Sequence, residues 1–340
     1  MSETHPDFVS YIQNCRRILI HDGAVGTVLK KRNFGEHEFR GKPFAEHDCP
    51  LQGRYELLCL TQPEAVSMVH EKYLAAGADI VSTNTFCASP LELVDCGLED
   101  KAAEIYRTAA WLARSAANKY SEITPDRPRY VAGVIGPTRF ITGEIPAAGD
   151  FSTAEFDDLV DSYRITAEAL IKGGVDCLLV ESIYILQNAR AALTAIESMK
   201  RDLGKHVPVW ASFTLANDAR TLYSGESIVE AAQSLEPFHP EIVGLNCGAD
   251  PAHLSEYLTA AFEIGAGTAA FHPSAGLPDT EGQYPWSIES FIWLMERVAE
   301  RGWVDIVGGC CGTDPTYIAA IDRAMEAMQP RRERLRSTKV

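Results

Sequence analysis

The chain has 340 residues, enough for one large α/β barrel or two ordinary domains with a substantial buried core. Its 31 basic and 47 acidic residues give a formal net charge of -16, which argues against nucleic acid or an anionic membrane surface as a partner. No apolar run approaches the roughly 20 residues that span a bilayer, and the N-terminal MSETHPDFVS lacks the pattern of a secretion signal. We therefore expect a soluble acidic enzyme of the cytoplasm.

Eight short β-rich segments recur along the chain with helical patterns between them, which is typical of repeated βα units and a parallel sheet. Several begin almost entirely apolar and end in polar or Gly-rich sequence, as when a buried barrel strand emerges into a functional loop. This pattern predicts a (β/α)₈ TIM barrel, ahead of an open doubly wound sheet. The predicted strands are 17–23, 78–86, 130–137, 177–183, 207–215, 241–248, 267–276 and 304–312.

The helices between the strands carry recognisable starts and stops. Pro63 precedes EAVSMVHEKYLAAG, and Gly77 ends that run. Ser152 and Glu155 have the spacing of a capping box, which predicts a helix start at that point and a helix end near Gly173. The apolar residues at helical spacing in these segments are expected to pack in the core.

Two segments depart from a minimal barrel. Residues 30–60 form a long insertion after the first strand, rich in aromatic residues, Gly and charge, and a loop of this length on a barrel is more often functional than accidental. Residues 326–340 form a basic tail without apolar periodicity, which we expect to be disordered. With no second compact domain indicated, we expect a single barrel domain over residues 1–325.

The nine cysteines form an odd number and follow no secretory segment, so reduced thiols fit better than a disulfide framework. Cys15, Cys59, Cys96 and Cys177 lie in or beside apolar patterns, and we expect them to be packing residues. Cys87 differs, because it closes the polar stretch STNTFC and could approach an active site.

Cys247 in VGLNCGAD and the adjacent Cys310 and Cys311 in VGGCCGTD stand at the ends of two predicted strands. Three thiols placed in this way could form a partly open zinc site whose fourth position takes a substrate thiol. Neighbouring side chains on a regular strand point to opposite faces, so the chain must leave extended geometry at Cys310, as the surrounding glycines allow. The alternatives are a tight turn with core cysteines and, less attractively, a disulfide between Cys310 and Cys311.

Polar residues also cluster at the carboxyl ends of the predicted strands, where barrel enzymes place their sites. They are Asp22, Asn84, Glu181 and Asn246. Each alone has a structural explanation, such as a turn cap or an ion pair. Together with the cysteines they predict an acidic, thiolate-rich pocket that suits a substrate carrying an ammonium group and a thiol. Zinc lowers the pKa of a bound thiol, so the expected reaction is alkyl transfer to sulfur.

The ordered motifs DGAVGT, ADIVSTNTF, AGVIGPT, ESI, GLNCG and GGCCGT resemble the signatures of the homocysteine S-methyltransferase family, zinc-dependent barrels that methylate homocysteine to methionine. The resemblance covers about residues 17–325. The segments FRGKPFAEHDCPLQGRYELLCLTQPE and AFHPSAGLPDTEGQY most resemble the homocysteine-binding module of cobalamin-dependent methionine synthase. Two departures from that module are Ser82, where an acidic residue often stands, and Cys87.

The resemblance implies that Cys247, Cys310 and Cys311 bind Zn²⁺. It also implies that Asp22 and Glu181 contact the amino group of homocysteine and that the backbone from Gly23 to Thr27 lies near its carboxylate. Asn84 and Asn246 are weaker candidates for substrate contacts.

The methyl donor is the open question at this stage, because no corrinoid domain follows the barrel in the 340 residues. One hypothesis is that a separate methyl-corrinoid protein docks on the barrel top and supplies methylcobalamin. Another is that a small donor such as S-methylmethionine or betaine enters directly. A hypothesis of a different class is a non-catalytic, zinc-bearing thiol-binding module.

Overall fold

The structure, a computed structural model, describes residues 6–142, 151–216, 218–248 and 267–337, together with residues 253, 256 and 259. Its main sheet has eight parallel strands, in the order β1-β8-β7-β6-β5-β4-β3-β2. A parallel bridge between His21 and Ile80 joins β1 to β2 and closes the sheet. The strands are β1 Leu19–Ile20, β2 Ile80–Ser82, β3 Tyr130–Ile135, β4 Cys177–Ile183, β5 Val209–Phe213, β6 Ile242–Asn246, β7 Thr268–His272 and β8 Ile306–Val307.

The prediction of a (β/α)₈ barrel is therefore confirmed, and the open doubly wound alternative is excluded by the closing bridge. Each observed strand lies inside its predicted segment. β4 fills its predicted segment, and the other seven strands are shorter than predicted, mainly because their polar ends leave the sheet and form the loops of the upper rim.

Eight helices of six or more residues follow β1 and precede the C-terminal segment that begins at residue 326. They are Val25–Lys30, Pro63–Ala75, Ala102–Ile123, Phe156–Gly173, Leu186–Leu203, Ile228–Leu235, Ile288–Glu300 and Pro315–Met325, within the part of the chain that the structure describes. The expected helix start at Pro63 is confirmed, and Gly77 follows the end of this helix with a φ of +104°. None of the described helices is both long enough and apolar enough to cross a membrane.

The amino-terminal helix Phe8–Asn14 closes the bottom of the barrel. Phe8 and Ile12 are buried and join the interior cluster that contains Leu19, Tyr130 and Trp210. The rings of Phe8 and Tyr130 lie 5.0 Å apart between centroids. The lower half of the barrel is thus filled with side chains, which leaves the upper half for a site.

The predicted capping box at Ser152 and Glu155 is wrong. The helix does begin there, at Phe156, but its N-cap is Glu155 and no side chain caps it. Ser152 instead belongs to the short strand Ser152–Thr153, which pairs with Phe140–Ile141, and its backbone N–H donates to Arg139 O at 3.0 Å. The spacing of Ser152 and Glu155 resembles a capping box, but Ser152 pairs with the strand Phe140–Ile141 and is not the N-cap of the helix.

The insertion at residues 30–60 is folded onto the barrel. It contains the helices Glu36–Arg40 and Leu58–Thr61 and the 3₁₀ turn Tyr55–Leu57. Several of its apolar residues are buried, among them Phe39, Phe44, Leu51, Leu57 and Leu58. The insertion therefore has a small core of its own, continuous with that of the barrel.

The expectation of a disordered tail differs from the structure, which has a helix at Arg331–Ser337. Arg332 bonds the buried Asp305 at 2.9 Å, and its guanidinium also donates to Cys15 O at 2.6 Å. Basic sequence without apolar periodicity is typical of a solvated tail, but here Arg332 of this segment bonds the carboxylate of Asp305 at the bottom of the barrel. The single domain over residues 1–325 stays a prediction.

Candidate metal centre and active site

The three cysteines meet at the upper rim of the barrel, on either side of β7. Cys247 follows the last residue of β6, and Cys310 and Cys311 lie in the turn after β8. The Cys247 Sγ is 2.7 Å from Cys310 Sγ and 3.6 Å from Cys311 Sγ, and all three sulfurs lie within 4.8 Å of one another. The chain leaves extended geometry at the adjacent pair, as predicted, because Thr313 N–H donates to Cys310 O at 3.1 Å across a turn in which Gly312 has a φ of +82°. Cys247 is also left-handed, with a φ of +55°.

This donor set fits a zinc ion. Sulfur ligands about 2.3 Å from one tetrahedral ion lie about 3.8 Å apart, close to the longer of the two observed separations. The shorter separation, 2.7 Å, is well above the length of a disulfide bond, and all nine cysteines are free. Cys247, Cys310 and Cys311 are each partly exposed, so the cluster is open on one side. Three thiolates and an open side are typical of a catalytic rather than a structural zinc site.

The thiols also influence one another's protonation. Hydrogen bonds from Cys247 and Cys310 lower the pKa of the Cys311 thiol, while the contacts of Cys310 with Cys247 and Cys311, together with burial, raise the pKa of the Cys310 thiol. Three sulfurs this close cannot all carry negative charge unless a cation lies between them. The cluster is therefore arranged for a metal ion.

Asp22 lies beside the cluster at the end of β1 and is completely buried. Its Oδ2 accepts from Ser82 N at 2.9 Å, and burial raises its pKa to about 7. The Oδ1 has no hydrogen-bond partner among the described residues. His21 Nε2 is 3.3 Å from this oxygen, but burial lowers the pKa of His21 to about 3, so the ring is neutral and forms no ion pair. An unpartnered buried carboxyl oxygen is a natural contact for a substrate cation.

Ser82, the first departure from the methionine synthase module, contacts both His21 and Asp22. Its hydroxyl lies 2.7 Å from His21 Nε2, and its backbone N–H is the donor that holds Asp22. The serine thus orients the carboxyl group at the end of the neighbouring strand.

Glu181 lies on β4 and faces the same space. Burial raises its pKa to about 8, and the charges of Cys311 and Asp22 add to the shift. Its nearest cationic candidate, His272 Nδ1, is 3.9 Å away, but burial lowers the pKa of His272 well below its usual value. Glu181 therefore has no counter-charge from that ring, and neither Glu181 nor Asp22 has a charged partner in the part of the chain that the structure describes.

The remaining predicted substrate residues are arranged differently. Thr27 Oγ1 accepts from Gly312 N at 3.3 Å, next to the cysteine pair. Gly23 is packed so closely that a Cβ there would lie 2.7 Å from Thr313 Oγ1. Asn84 donates to Tyr55 O at 2.8 Å and so binds the insertion. Asn246 is fully buried among side chains of β4 and β5. Substrate contacts from these four residues stay a prediction.

Cys87, the second departure, lies at the mouth of the barrel, where its backbone N–H donates to Glu56 Oε1 at 3.0 Å. Cys87 is exposed as a residue, but the surrounding rim partly desolvates its thiol, and this desolvation together with the charges of Glu56, Glu92 and Glu181 raises the pKa of that thiol. The thiol is thus protonated at neutral pH and is a poor nucleophile.

Sequence reasoning missed a buried polar layer beneath the site. His272 Nε2 lies 3.1 Å from Ser212 Oγ, and the rings of His21, Trp210 and His272 lie 4.9 to 5.3 Å apart between centroids. The available signal was that His272, like the predicted residues, stands at the end of a strand.

Comparison with known proteins agrees with this geometry. The sequence model of homocysteine S-methyltransferases matches residues 19–325. The metallated form of the homocysteine methyltransferase MmuM from Escherichia coli has a similar fold, with a TM-score of 0.70 at 20% identity over 93% of this chain and 99% of that one. Its apo form gives a TM-score of 0.65 at 20% identity, over 91% and 96%. The match over most of the length shows that this chain belongs to the homocysteine S-methyltransferase family.

Proposed function

We propose that this protein is a zinc-dependent methyltransferase that transfers a methyl group to the thiol of homocysteine and forms methionine. The supporting observation is the juxtaposition of three cysteine sulfurs within 4.8 Å of one another and two carboxyl groups without a charged partner among the described residues. The sulfurs suit zinc, and the carboxyl groups suit the ammonium group of an amino acid. A substrate that carries both a thiol and an ammonium group uses both halves of the pocket.

The chemistry divides between the ion and the protein. Zinc held by Cys247, Cys310 and Cys311 would lower the pKa of the substrate thiol and make a thiolate available at neutral pH. Asp22 and Glu181 accept hydrogen bonds from the substrate ammonium group, whose charge favours their ionised forms. The thiolate sulfur attacks the methyl carbon, the bond from methyl to donor breaks, and its electron pair leaves with the donor. The thiol proton goes to solvent.

The donor that we favour is methylcobalamin held by a separate corrinoid protein. The insertion at residues 30–60 supports this choice, because Tyr55 and Glu56 bond Asn84 and Cys87 and so place the insertion at the mouth of the barrel. A folded rim of this kind offers a surface to a protein donor. S-methylmethionine and betaine are the small-donor alternatives.

The test is methionine formation by the zinc-loaded protein with homocysteine and free methylcobalamin, run beside S-methylmethionine and betaine. Turnover with methylcobalamin and with neither small donor supports the corrinoid donor. Turnover only with S-methylmethionine or betaine would show instead that the methyl donor is a small molecule. If zinc is bound and no donor yields methionine, homocysteine is not the acceptor or the protein is a non-catalytic thiol-binding module. X-ray absorption spectroscopy at the zinc with and without homocysteine separates these two, since a thiol-binding module adds the homocysteine sulfur to the zinc without turnover, whereas the zinc shell stays unchanged if homocysteine does not bind there.

A further inference from the structure

Asn246 is the last residue of β6, directly before Cys247, and it is fully buried. Its Oδ1 accepts from Ser182 N at 3.1 Å and from Ser212 Oγ at 2.8 Å, and its Nδ2 donates to Ser182 Oγ at 2.8 Å. Because a backbone N–H can only donate, the amide oxygen has to face Ser182. The side chain of Asn246 is thus bound to β4 and β5, across the interior of the barrel.

Two non-glycine residues in the left-handed region adjoin this amide. Ser182 has φ +60° and follows Glu181, and Cys247 has φ +55° and follows Asn246. Residues with side chains occupy this region at a cost in free energy and stay there only when the surroundings hold them. Both left-handed residues are therefore held by contacts beyond their own segment.

The left-handed turn at Ser182 also coincides with an irregularity in the sheet. The pairing of β4 with β5 shifts register between Val180 and Ile183. An irregularity of this kind changes the direction of the side chains beside it. It lies where Glu181 leaves the regular strand, so the conformation of Ser182 sets the direction of the Glu181 carboxyl group.

Cys247 is held from the other side. Its N–H donates to His272 O at 3.2 Å, and Cys310 N donates to the next carbonyl, Pro273 O, at 2.9 Å. The end of β7 therefore aligns the backbone of both cysteines. Asn246 pairs with His272 in the β6–β7 register, and its side chain bonds Ser182 of β4. It therefore connects the aligned cysteine backbone to β4.

We infer that Asn246 is a positioning residue that fixes the metal ligand Cys247 and the carboxyl group of Glu181 relative to each other. It does so by holding Ser182 in the left-handed conformation. The roles of Cys247 and Glu181 in this inference rest on the proposed function. In this inference Asn246 acts through its neighbours, and its effect on the site requires no contact of its own with the metal or the substrate.

The test replaces Asn246 by Ala and measures the protein loaded with zinc or with Co²⁺. We expect about 10–100-fold weaker retention of metal against a chelator, as for other residues that support metal ligands. The cobalt absorption spectrum should change, and the homocysteine KM should rise. Neither the chelator assay nor the spectrum requires methyl transfer, so these readouts stand even if the proposed function fails.

The second arm adds Ser182→Gly to Asn246→Ala. Glycine adopts φ +60° without strain, so the double variant should recover most of the metal retention if Asn246 acts by holding Ser182. Asn188→Ala is the control, since Asn188 is also buried and donates to Phe140 O at 2.9 Å, outside this network. It should keep the cobalt spectrum.

An unchanged cobalt spectrum and chelator resistance in folded Asn246→Ala would overturn the inference, as would a loss that Ser182→Gly does not relieve. If Asn246→Ala does not fold, Ser212→Ala removes one of the hydrogen bonds to the same amide oxygen. It should shift the spectrum in the same direction by a smaller amount, and no shift would count against the inference.

Discussion

Asp22, which is buried, and Glu181, which is largely buried, are the most unusual residues of the site, because neither carboxyl group has a charged partner within the described ranges of the chain. Burial raises the pKa of Asp22 to about 7 and that of Glu181 to about 8. In the free protein each is partly protonated near neutral pH, whereas binding of an ammonium group requires the ionised forms. The affinity for homocysteine should therefore increase as the pH rises through this range.

Asp22→Asn tests that interpretation. The amide keeps the shape of the side chain and the bond from Ser82 N but removes the charge, so the homocysteine KM should rise about 10–100-fold, the value of one charged hydrogen bond. Zinc content should not change, and the KM should lose part of its pH dependence. Asp95→Asn, which removes a surface charge paired with Arg139, is the control. An unaltered KM would assign Asp22 a structural role.

Cys310→Ser tests the metal assignment. Serine is a poorer ligand for zinc than a thiolate, so we expect loss of zinc and of methyl transfer with little loss of fold. Metal analysis and circular dichroism measure the two effects separately. Cys87→Ser, at the mouth of the barrel, should retain zinc. Full activity in zinc-free Cys310→Ser would refute the assignment.

At the scale of the elements, an acidic residue stands directly before four of the eight strands. Each one accepts a hydrogen bond from a backbone N–H at or beside the start of a neighbouring strand, at 2.7 to 3.1 Å. These residues are Asp79, Asp176, Glu241 and Asp305, and their partners are Ile20, Val131, Val209 and Ala269. This repeated contact joins strands at the bottom of the barrel, opposite the site. Stability and chemistry are thus placed at opposite ends.

Asp79 shows the strongest form of this contact. It is fully buried and bonds Arg17 Nη1 and Arg127 Nε, each at 2.7 Å. Burial acts to raise its pKa, but the hydrogen bonds and charges of Arg17 and Arg127 prevail and lower it. A lowered pKa in the folded state means that this stability is present above the unfolded pKa near 4 and is lost as the pH falls below it.

Asp79→Asn should lower the free energy of unfolding at neutral pH by about 2–4 kcal/mol, because it removes the buried carboxylate that bonds Arg17 and one of the two carboxylates, Asp79 and Asp322, that bond Arg127. Urea unfolding at several pH values measures this. The variant should also lose part of the decline seen in the parent below about pH 4. Asp202→Asn, which breaks a surface pair with Arg164, should change the free energy by less than about 1 kcal/mol. Equal effects of the two substitutions would contradict the argument.

At the scale of the whole molecule, buried histidines make stability depend on pH. Burial lowers the pKa of His21 to about 3 and of His70 to about 4, and that of His272 well below its usual value. Below about pH 6.5 the unfolded chain binds protons that these rings do not, so stability falls as the pH falls. Asp22 and Glu181 oppose this, because their raised pKa values make the folded state bind protons first.

The contribution of one buried histidine to the pH dependence of stability can be measured at His70. It lies on the helix Pro63–Ala75, away from the site, and neither of its ring nitrogens is hydrogen-bonded to any described residue. His70→Leu should reduce the slope of stability against pH, between pH 6 and 5, by about 1.4 kcal/mol per pH unit, the value for one proton. Unfolding by urea at each pH gives the slope. His206→Leu, at an exposed position, is the control, and an equal change there would refute the role of burial.

The sequence alone determined the barrel and the cysteine cluster of this protein. Apolar runs that end in polar residues are local patterns, so the eight strands could be located from them one at a time. Cys247, Cys310 and Cys311 could be paired because the carboxyl ends of parallel strands meet at one rim. Asp22 and Glu181 followed from the same rule.

The tertiary structure decided what depends on closure of the sheet. Neither the engagement of Asn84 with Tyr55 nor the bonds of Asn246 to Ser182 and Ser212 follow from local sequence, because each pair is joined by contacts between segments distant along the chain. The helix at Arg331–Ser337 likewise depends on Asp305. Hydrogen-bond partners, left-handed backbone and raised pKa values arise only when the closed barrel brings such residues together and excludes water from them.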